Sequence, residues 1–298
     1  MSNVEPRFGR LITAMVTPFN DDRELDLDRA QALATRLIEG GNDALIINGT
    51  TGESPTVFYP QKIELFRAVV EAVGGKATVI ANVGDNCTAD TVDFAKDVAK
   101  LGVDGFMCVV PYYNKPPQEG MYQHFKTIAD AVELPIILYN IPGRCVVNME
   151  AETTLRLAND CENVIAVKEA SGKMDQIATI AAAAPEGFSV YSGDDSATYD
   201  VMRLGGAGVI STTGNVAPER MKELVMKCAE GKWDEAWAAH EALLPLMNGL
   251  FETSNPILVK EALKLVGFPV GGVRLPLIDA TAEQSARLAS IMREVGVL

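Results

Sequence analysis

Two hydrophobic patterns alternate along the chain. Short runs are apolar at nearly every position: residues 11–16, Ala44-Leu45-Ile46-Ile47, 78–83, 105–110, 135–140, 164–167, 188–193 and Gly208-Val209-Ile210-Ser211. They are strand-length, and being apolar on both faces they belong in a parallel sheet covered by helices. Between them, apolar residues recur at helical spacing. Ala30, Leu33, Ala34, Leu37 and Ile38 form the first such stripe. Asp26 or Asp28 can cap that helix, and Gly40-Gly41 ends it. The same spacing predicts helices near 60–73, 88–101, 120–131, 150–159, 175–183 and 196–204. Eight strand–helix units predict an α/β fold, a closed (β/α)8 TIM barrel. The alternative, a doubly wound open sheet, wants a Gly-x-Gly-x-x-Gly turn after its first strand. This chain has Thr17-Pro18-Phe19 there.

Beyond residue 216 the pattern is helical only. Pro218 suits a first helical turn. Trp233, Ala236, Trp237, His240, Leu243 and Leu244 are expected to share a face, and Pro245 to kink or end that helix. Segments 255–265 and 281–295 read as two more helices. No linker rich in Pro, Gly or Ser precedes this region. The expectation is a catalytic barrel over residues 1–230 and a C-terminal helical extension over 231–298 packed on it.

Composition narrows the partners. The 298 residues are 48% hydrophobic, ample for such a core, and the net charge is −14. That balance argues against nucleic acid or an acidic membrane surface as partner, while leaving room for a small anion held by a few local cations. No apolar run reaches the ~18 residues of a membrane span. Residues 1–10 are polar and carry no secretory pattern. Cys87, Cys108, Cys145, Cys161 and Cys228 are scattered, with no Cys-x-x-Cys pair. Reduced thiols in a cytoplasmic protein are expected. His124 and His240 stand alone on helices, so no metal site is expected. Gly74-Gly75-Lys76 lacks the remainder of a phosphate loop. Tight packing explains Gly205-Gly206-Ala207-Gly208 as well as phosphate binding would.

One residue changes the picture. Val164-Ile165-Ala166-Val167 reads as a buried strand, and Lys168 ends it. A strand-end lysine ordinarily snorkels to water. Held instead in an apolar barrel mouth, its pKa would fall from ~10.4 toward ~7–8, and the amine could attack a ketone to form a Schiff base. In a barrel the C-terminal strand ends share one mouth. There the chain puts Thr50, Thr51, Tyr112, Tyr113, Tyr139, Lys168 and the backbone around Gly193 and Ile210, with Arg144 five residues past Tyr139. Each has an ordinary reading as a buried ring, a turn residue or a surface charge. Together they supply an amine, hydroxyls that relay protons and a guanidinium fork for a carboxylate. That set suits Schiff-base chemistry on a keto acid. A barrel that binds a keto acid without turnover is the rival reading from another class.

Four segments carry a resemblance. They are Gly49-Thr50-Thr51-Gly52-Glu53, Pro111-Tyr112-Tyr113-Asn114-Lys115-Pro116, Tyr139-Asn140-Ile141-Pro142-Gly143-Arg144 and Val167-Lys168-Glu169-Ala170-Ser171-Gly172. In this order they resemble the dihydrodipicolinate synthase / N-acetylneuraminate lyase family, and the similarity runs through nearly the whole chain. The resemblance implies that pyruvate condenses on Lys168, with no cofactor beyond that covalent Schiff base. It further implies Tyr139 as proton shuttle, with Thr50 and Tyr113 completing a relay and Tyr113 reaching in from a neighbouring subunit. Thr51 would hold the pyruvate carboxylate, and main-chain groups at Gly193 and Ile210 would line the pocket. The family suggests a homotetramer built from tight dimers.

Members that cleave sialic acid or ketodeoxy sugars lack an arginine at the position of Arg144. The synthases use it to bind L-aspartate 4-semialdehyde. The implied reaction is therefore condensation of pyruvate with that semialdehyde to 4-hydroxy-tetrahydrodipicolinate, toward diaminopimelate and lysine. Another pyruvate-dependent aldolase, a sialate or ketodeoxy-sugar lyase, is the nearer alternative. Ser54, Asn86 and Tyr112 match an interface site at which lysine inhibits some members. Lys62, Asp90 and Tyr59 depart from the residues that sensitive bacterial members place there. A cation at Lys62 should repel the lysine ammonium, so weak or absent feedback is expected.

Overall fold

The computed structural model describes residues 5–298, so the first four residues of the expected 1–230 unit lie outside the described residues. Eight parallel strands close on themselves in sequence order. They are β1 (Leu11–Ala14), β2 (Ala44–Ile47), β3 (Thr78–Asn82), β4 (Gly105–Val109), β5 (Ile136–Asn140), β6 (Val164–Glu169), β7 (Ser189–Ser192) and β8 (Gly208–Ser211), with β1 pairing both β2 and β8. The helices between them are α1 (Leu27–Glu39), α2 (Tyr59–Val73), α3 (Thr88–Ala99), α4 (Gln118–Ala131), a one-turn α5 (Pro142–Cys145), α6 (Ala151–Asp160), α7 (Met174–Ala183) and α8 (Thr198–Arg203). Four more follow: α9 (Pro218–Ala229), α10 (Trp233–Gly249), α11 (Ile257–Leu265) and α12 (Ala282–Glu294).

Strand side chains alternate between two cores, as the period of two requires. Ile12, Ile46, Ile80, Met107, Ile137, Ala166, Tyr191 and Ile210 fill the barrel interior. Leu11, Leu45, Val79, Phe106, Leu138, Val167, Val190 and Val209 point out against the helices. This double burial is why the strands read as unbroken apolar runs. Asp26 caps α1, its side chain accepting from the Arg29 N–H at 2.9 Å. Gly40 is its C-cap.

Three sequence expectations are corrected. Pro245 does not end α10, which continues to Gly249. A mid-helix proline costs about 3 kcal/mol, but Leu243, Leu246 and Met247 flank it fully buried. Burial of each is worth roughly 1.5–3 kcal/mol, which offsets the lost bond. The expected apolar face of α10 also divides. Ala236, His240 and Leu243 are buried, whereas Trp237 lies outside the core, 41% exposed, with its ring 5.0 Å from Tyr199 and stacked on His240. In addition, β6 runs one residue past Lys168, to the buried Glu169. Among the described residues no helix is long and apolar enough to cross a membrane.

Candidate active site

The inward-pointing positions of β6 are Ala166 and, two residues on, Lys168 at the C-terminal mouth. In register, Lys168 sits between Tyr139 of β5 and Tyr191 of β7. Its side chain is 5% exposed, and Nζ lies 4.4 Å over the centroid of the Tyr139 ring. Burial pulls the ammonium down to about 8, and Arg144 pushes the same way, while Asp195 and Asp194 resist. Gly193 makes room for this arrangement. A Cβ there would come within 2.7 Å of Ala170 Cβ and 3.1 Å of Lys168 Cγ, so a side chain would displace the lysine stem.

Tyr139 is also buried. Desolvation pushes its phenol up to about 12, and the Thr50 hydroxyl and the Arg144 guanidinium pull the other way. Thr50 is half-buried on the turn after β2. Arg144 is exposed at the rim on α5. The Ile141 carbonyl turns that segment tightly, accepting from both Arg144 N and Cys145 N at 3.0 Å.

Thr51 is 2% exposed. Its Oγ1 accepts from Asn255 Nδ2 at 2.9 Å and lies 3.4 Å from Thr212 Oγ1. Asp195, fully enclosed just past β7, takes the backbone N–H groups of Thr212 and Thr213 at 3.0 and 2.8 Å and the Thr213 hydroxyl at 2.8 Å. Burial pushes its carboxyl up, and those donors hold it down. Ile210 lines the same interior, 1% exposed. The mouth therefore gathers Lys168, Tyr139, Thr50, Thr51, Gly193 and Ile210, with Arg144 above them. Tyr113 is not among them. It stands 88% exposed on left-handed backbone, φ 72°.

The residues considered for regulation divide. Ser54, Tyr59, Lys62 and Asp90 line a separate cavity of about 320 Å³ with Asp85, Asp93 and Phe94. Asn86 and Tyr112 join through neighbours: Tyr112 donates its hydroxyl to Asp85 at 3.2 Å, and Asn86 Nδ2 donates to the Tyr112 carbonyl at 3.1 Å. Lys62 Nζ lies 5.6 Å over the Phe94 ring. Burial pulls its pKa down, against Asp85.

Sequence reasoning missed four groups at the mouth: Glu169, Asn140, Asp195 and Asn255. Asn140 pairs in register with Glu169, one step beyond Tyr139 and Lys168. Its Nδ2 donates to Glu169 Oε1 at 3.1 Å, and Gln176 and the Ser171 N–H complete the carboxylate's bonds at 2.9 and 2.8 Å. This clamp ties the two strands together one step past the Tyr139–Lys168 pair. Its one trace in the sequence is the second charge of Lys168-Glu169, which the end of a strand explains equally well. His124 is buried, its Nδ1 2.9 Å from Thr88 Oγ1. Among the described residues no group of three or more His, Cys, Asp or Glu is arranged to hold a metal ion.

Comparison with known proteins adds independent findings. Residues 7–295 match the family model described as the dihydrodipicolinate synthetase family. The 4-hydroxy-tetrahydrodipicolinate synthase of Moorella thermoacetica is 53% identical over 98% of this chain and 100% of its own length. The crystal structure of a DHDPS from Cyanidioschyzon merolae with lysine bound superposes with a TM-score of 0.97 at 46% identity, covering 99% of this chain and 100% of that one. The chloride-inhibited dihydrodipicolinate synthase of Acinetobacter baumannii, solved in complex with pyruvate, gives 0.95 at 35% identity, over 98% of this chain and 100% of that one.

Proposed function

The chain belongs to the dihydrodipicolinate synthetase family, and on that premise we propose that it condenses pyruvate with L-aspartate 4-semialdehyde to 4-hydroxy-tetrahydrodipicolinate. The product leads toward diaminopimelate and lysine. One observation carries the mechanism: a lysine amine, buried in the barrel mouth and lowered to about 8, beside a buried tyrosine. About a tenth of that amine is free base at pH 7, far more than an ordinary lysine provides, and it attacks the pyruvate ketone. Loss of water gives an imine. The imine draws electrons from the methyl carbon, which loses a proton and becomes an enamine nucleophile. That carbon bonds to the aldehyde carbon of the semialdehyde, whose oxygen takes up a proton. The semialdehyde's own amine then adds to the imine carbon, closes the ring and expels Lys168. The protein imine is the electron sink throughout, so the reaction needs no cofactor.

Tyr139, with Thr50, moves the protons. Thr51 and the backbone at Gly193 and Ile210 hold pyruvate, and Arg144 takes the semialdehyde carboxylate in a forked pair. Tyr113, turned outward, completes the relay in a neighbouring copy within a homotetramer of tight dimers, a state that sedimentation equilibrium reads directly. All five cysteines are free, in keeping with a reducing, cytoplasmic setting.

Borohydride trapping tests the central step. Incubation with pyruvate, reduction, digestion and mass mapping should place a pyruvate-sized adduct on Lys168. A folded protein without that adduct removes the mechanism. Arg144→Ala should raise KM for the semialdehyde by about 10²-fold, the loss of a charge-assisted fork, and leave KM for pyruvate nearly unchanged. Equal effects on both substrates, or none, would remove the reason for choosing the semialdehyde. In the second cavity Lys62 opposes a further ammonium, so lysine should inhibit weakly or not at all. Sub-millimolar inhibition in a rate assay would refute this.

A further inference from the structure

The turn that carries Thr50 and Thr51 is bound to the C-terminal helical region by groups that the mechanism above does not use. Glu53 is 3% exposed and sits in left-handed backbone, φ 55°, which a glutamate adopts only when its surroundings hold it there. Its Oε1 is 2.6 Å from Lys260 Nζ on α11, and its Oε2 accepts from the Arg274 N–H at 2.9 Å. Lys260 is equally buried. Its Nζ also donates to the Gly272 carbonyl at 2.8 Å and lies 4.1 Å over the Phe19 ring. Arg274 continues the grip, donating to the Thr56 carbonyl at 2.7 Å and to Gln61 Oε1 at 2.8 Å. Just before α11, Asn255 Nδ2 donates to Thr51 Oγ1 at 2.9 Å. From the β1 side, the Thr17 hydroxyl donates to the Gly52 carbonyl at 2.6 Å.

A buried ion pair is weak evidence for stability, because desolvation opposes the attraction and apolar replacements often serve as well. What it does supply is direction, since two charges with every neighbour fixed have one geometry. Residues 255 and 260 of the C-terminal segment hold residues 51 and 53 of the turn, giving two points of attachment on each side.

We propose that Glu53, Lys260 and Asn255 are positioning residues that aim the Thr51 hydroxyl at the pyruvate carboxylate, making the C-terminal helical region part of the pyruvate site. This rests on the reading that pyruvate binds at Lys168 and Thr51. Two variants of the whole chain test it. Glu53→Gln with Lys260→Met removes both charges together while keeping volume and an acceptor for the Arg274 N–H, and methionine sulfur packs well on the Phe19 ring. Asn255→Ala removes only the link to Thr51. The readout is the pyruvate concentration that half-saturates the borohydride-trapped adduct on Lys168, with calorimetry beside it. The expected result is melting close to the parent in both variants, with half-saturation raised about tenfold, as a displaced substrate contact produces. A folded variant that saturates like the parent overturns the proposal, since a merely structural role predicts that outcome. Should the double variant fail to fold, Asn255→Ala decides alone. A parent protein that forms no adduct removes the underlying reading, and this proposal with it.

Discussion

Replacing Lys168 with methionine should leave a folded and more thermostable barrel with no turnover and no trapped pyruvate. The stability half of this follows from linkage. The amine is lowered from its ordinary 10.5 to about 8 by burial. Between those two values the unfolded chain holds more protons than the folded one, so stability rises with pH across that window. Below about 8 the full penalty is present, and a shift of this size corresponds to roughly 3 kcal/mol at neutral pH. Methionine is one atom shorter, carries no charge, and ends in a methyl group where lysine Cε now leads to the Tyr139 ring. Asp195 loses a cationic neighbour, which cancels part of the gain. A net increase of about 1–2 kcal/mol at pH 7 remains, equal to several degrees in melting temperature. Calorimetry at pH 7 and again above pH 10 reads it, and the advantage should shrink at the higher pH. A structural strand-end lysine predicts the reverse, a less stable variant that still turns over. Stability given up at a nucleophile is a common mark of a functional site.

Most of the barrel was legible because its strands are buried on both faces. Ala44–Ile47 and Gly208–Ser211 are buried at every position, and both read as strands from composition alone. Lys168 was legible as the misfit in such a run. Glu169 was not, since a charge after a lysine reads as the end of a strand. Its partners Asn140 and Gln176 come from β5 and α7, so only the fold shows that it is satisfied. Asn255 is harder still, as it meets Thr51 across 204 residues of sequence. Asp195 carries no signal of its own in the sequence; only the fold brings the Thr212 and Thr213 N–H groups to it. At Pro245, where a kink or an end was expected, the end does not follow: the local rule is outweighed by the burial of Leu243, Leu246 and Met247. Local pattern gives elements and oddities, whereas long-range partners give the supports of the site.

Tyr139→Phe should separate carbon–nitrogen from proton chemistry. The phenol, raised to about 12 by burial, is fully protonated at neutral pH. It cannot serve as a standing base. It can donate its proton and recover one through Thr50, whose hydroxyl lies beside it. Phenylalanine keeps the ring under the Lys168 amine, 4.4 Å from its centroid, and removes only the hydroxyl. The pyruvate adduct should therefore still reach full occupancy on Lys168, formed more slowly. Turnover, which needs a proton delivered at dehydration and at the aldehyde oxygen and one carried away at enamine formation, should fall by about 10²–10⁴-fold. The pH profile for pyruvate capture should keep its shape, rising to a plateau above about 8 as the amine loses its proton, because the titrating group is unchanged and only the height falls. Loss of the adduct at equilibrium would instead make the hydroxyl part of what orients the lysine. Undiminished turnover would move the shuttle to the Thr50 hydroxyl alone, or to the outward-facing Tyr113 of a neighbouring copy.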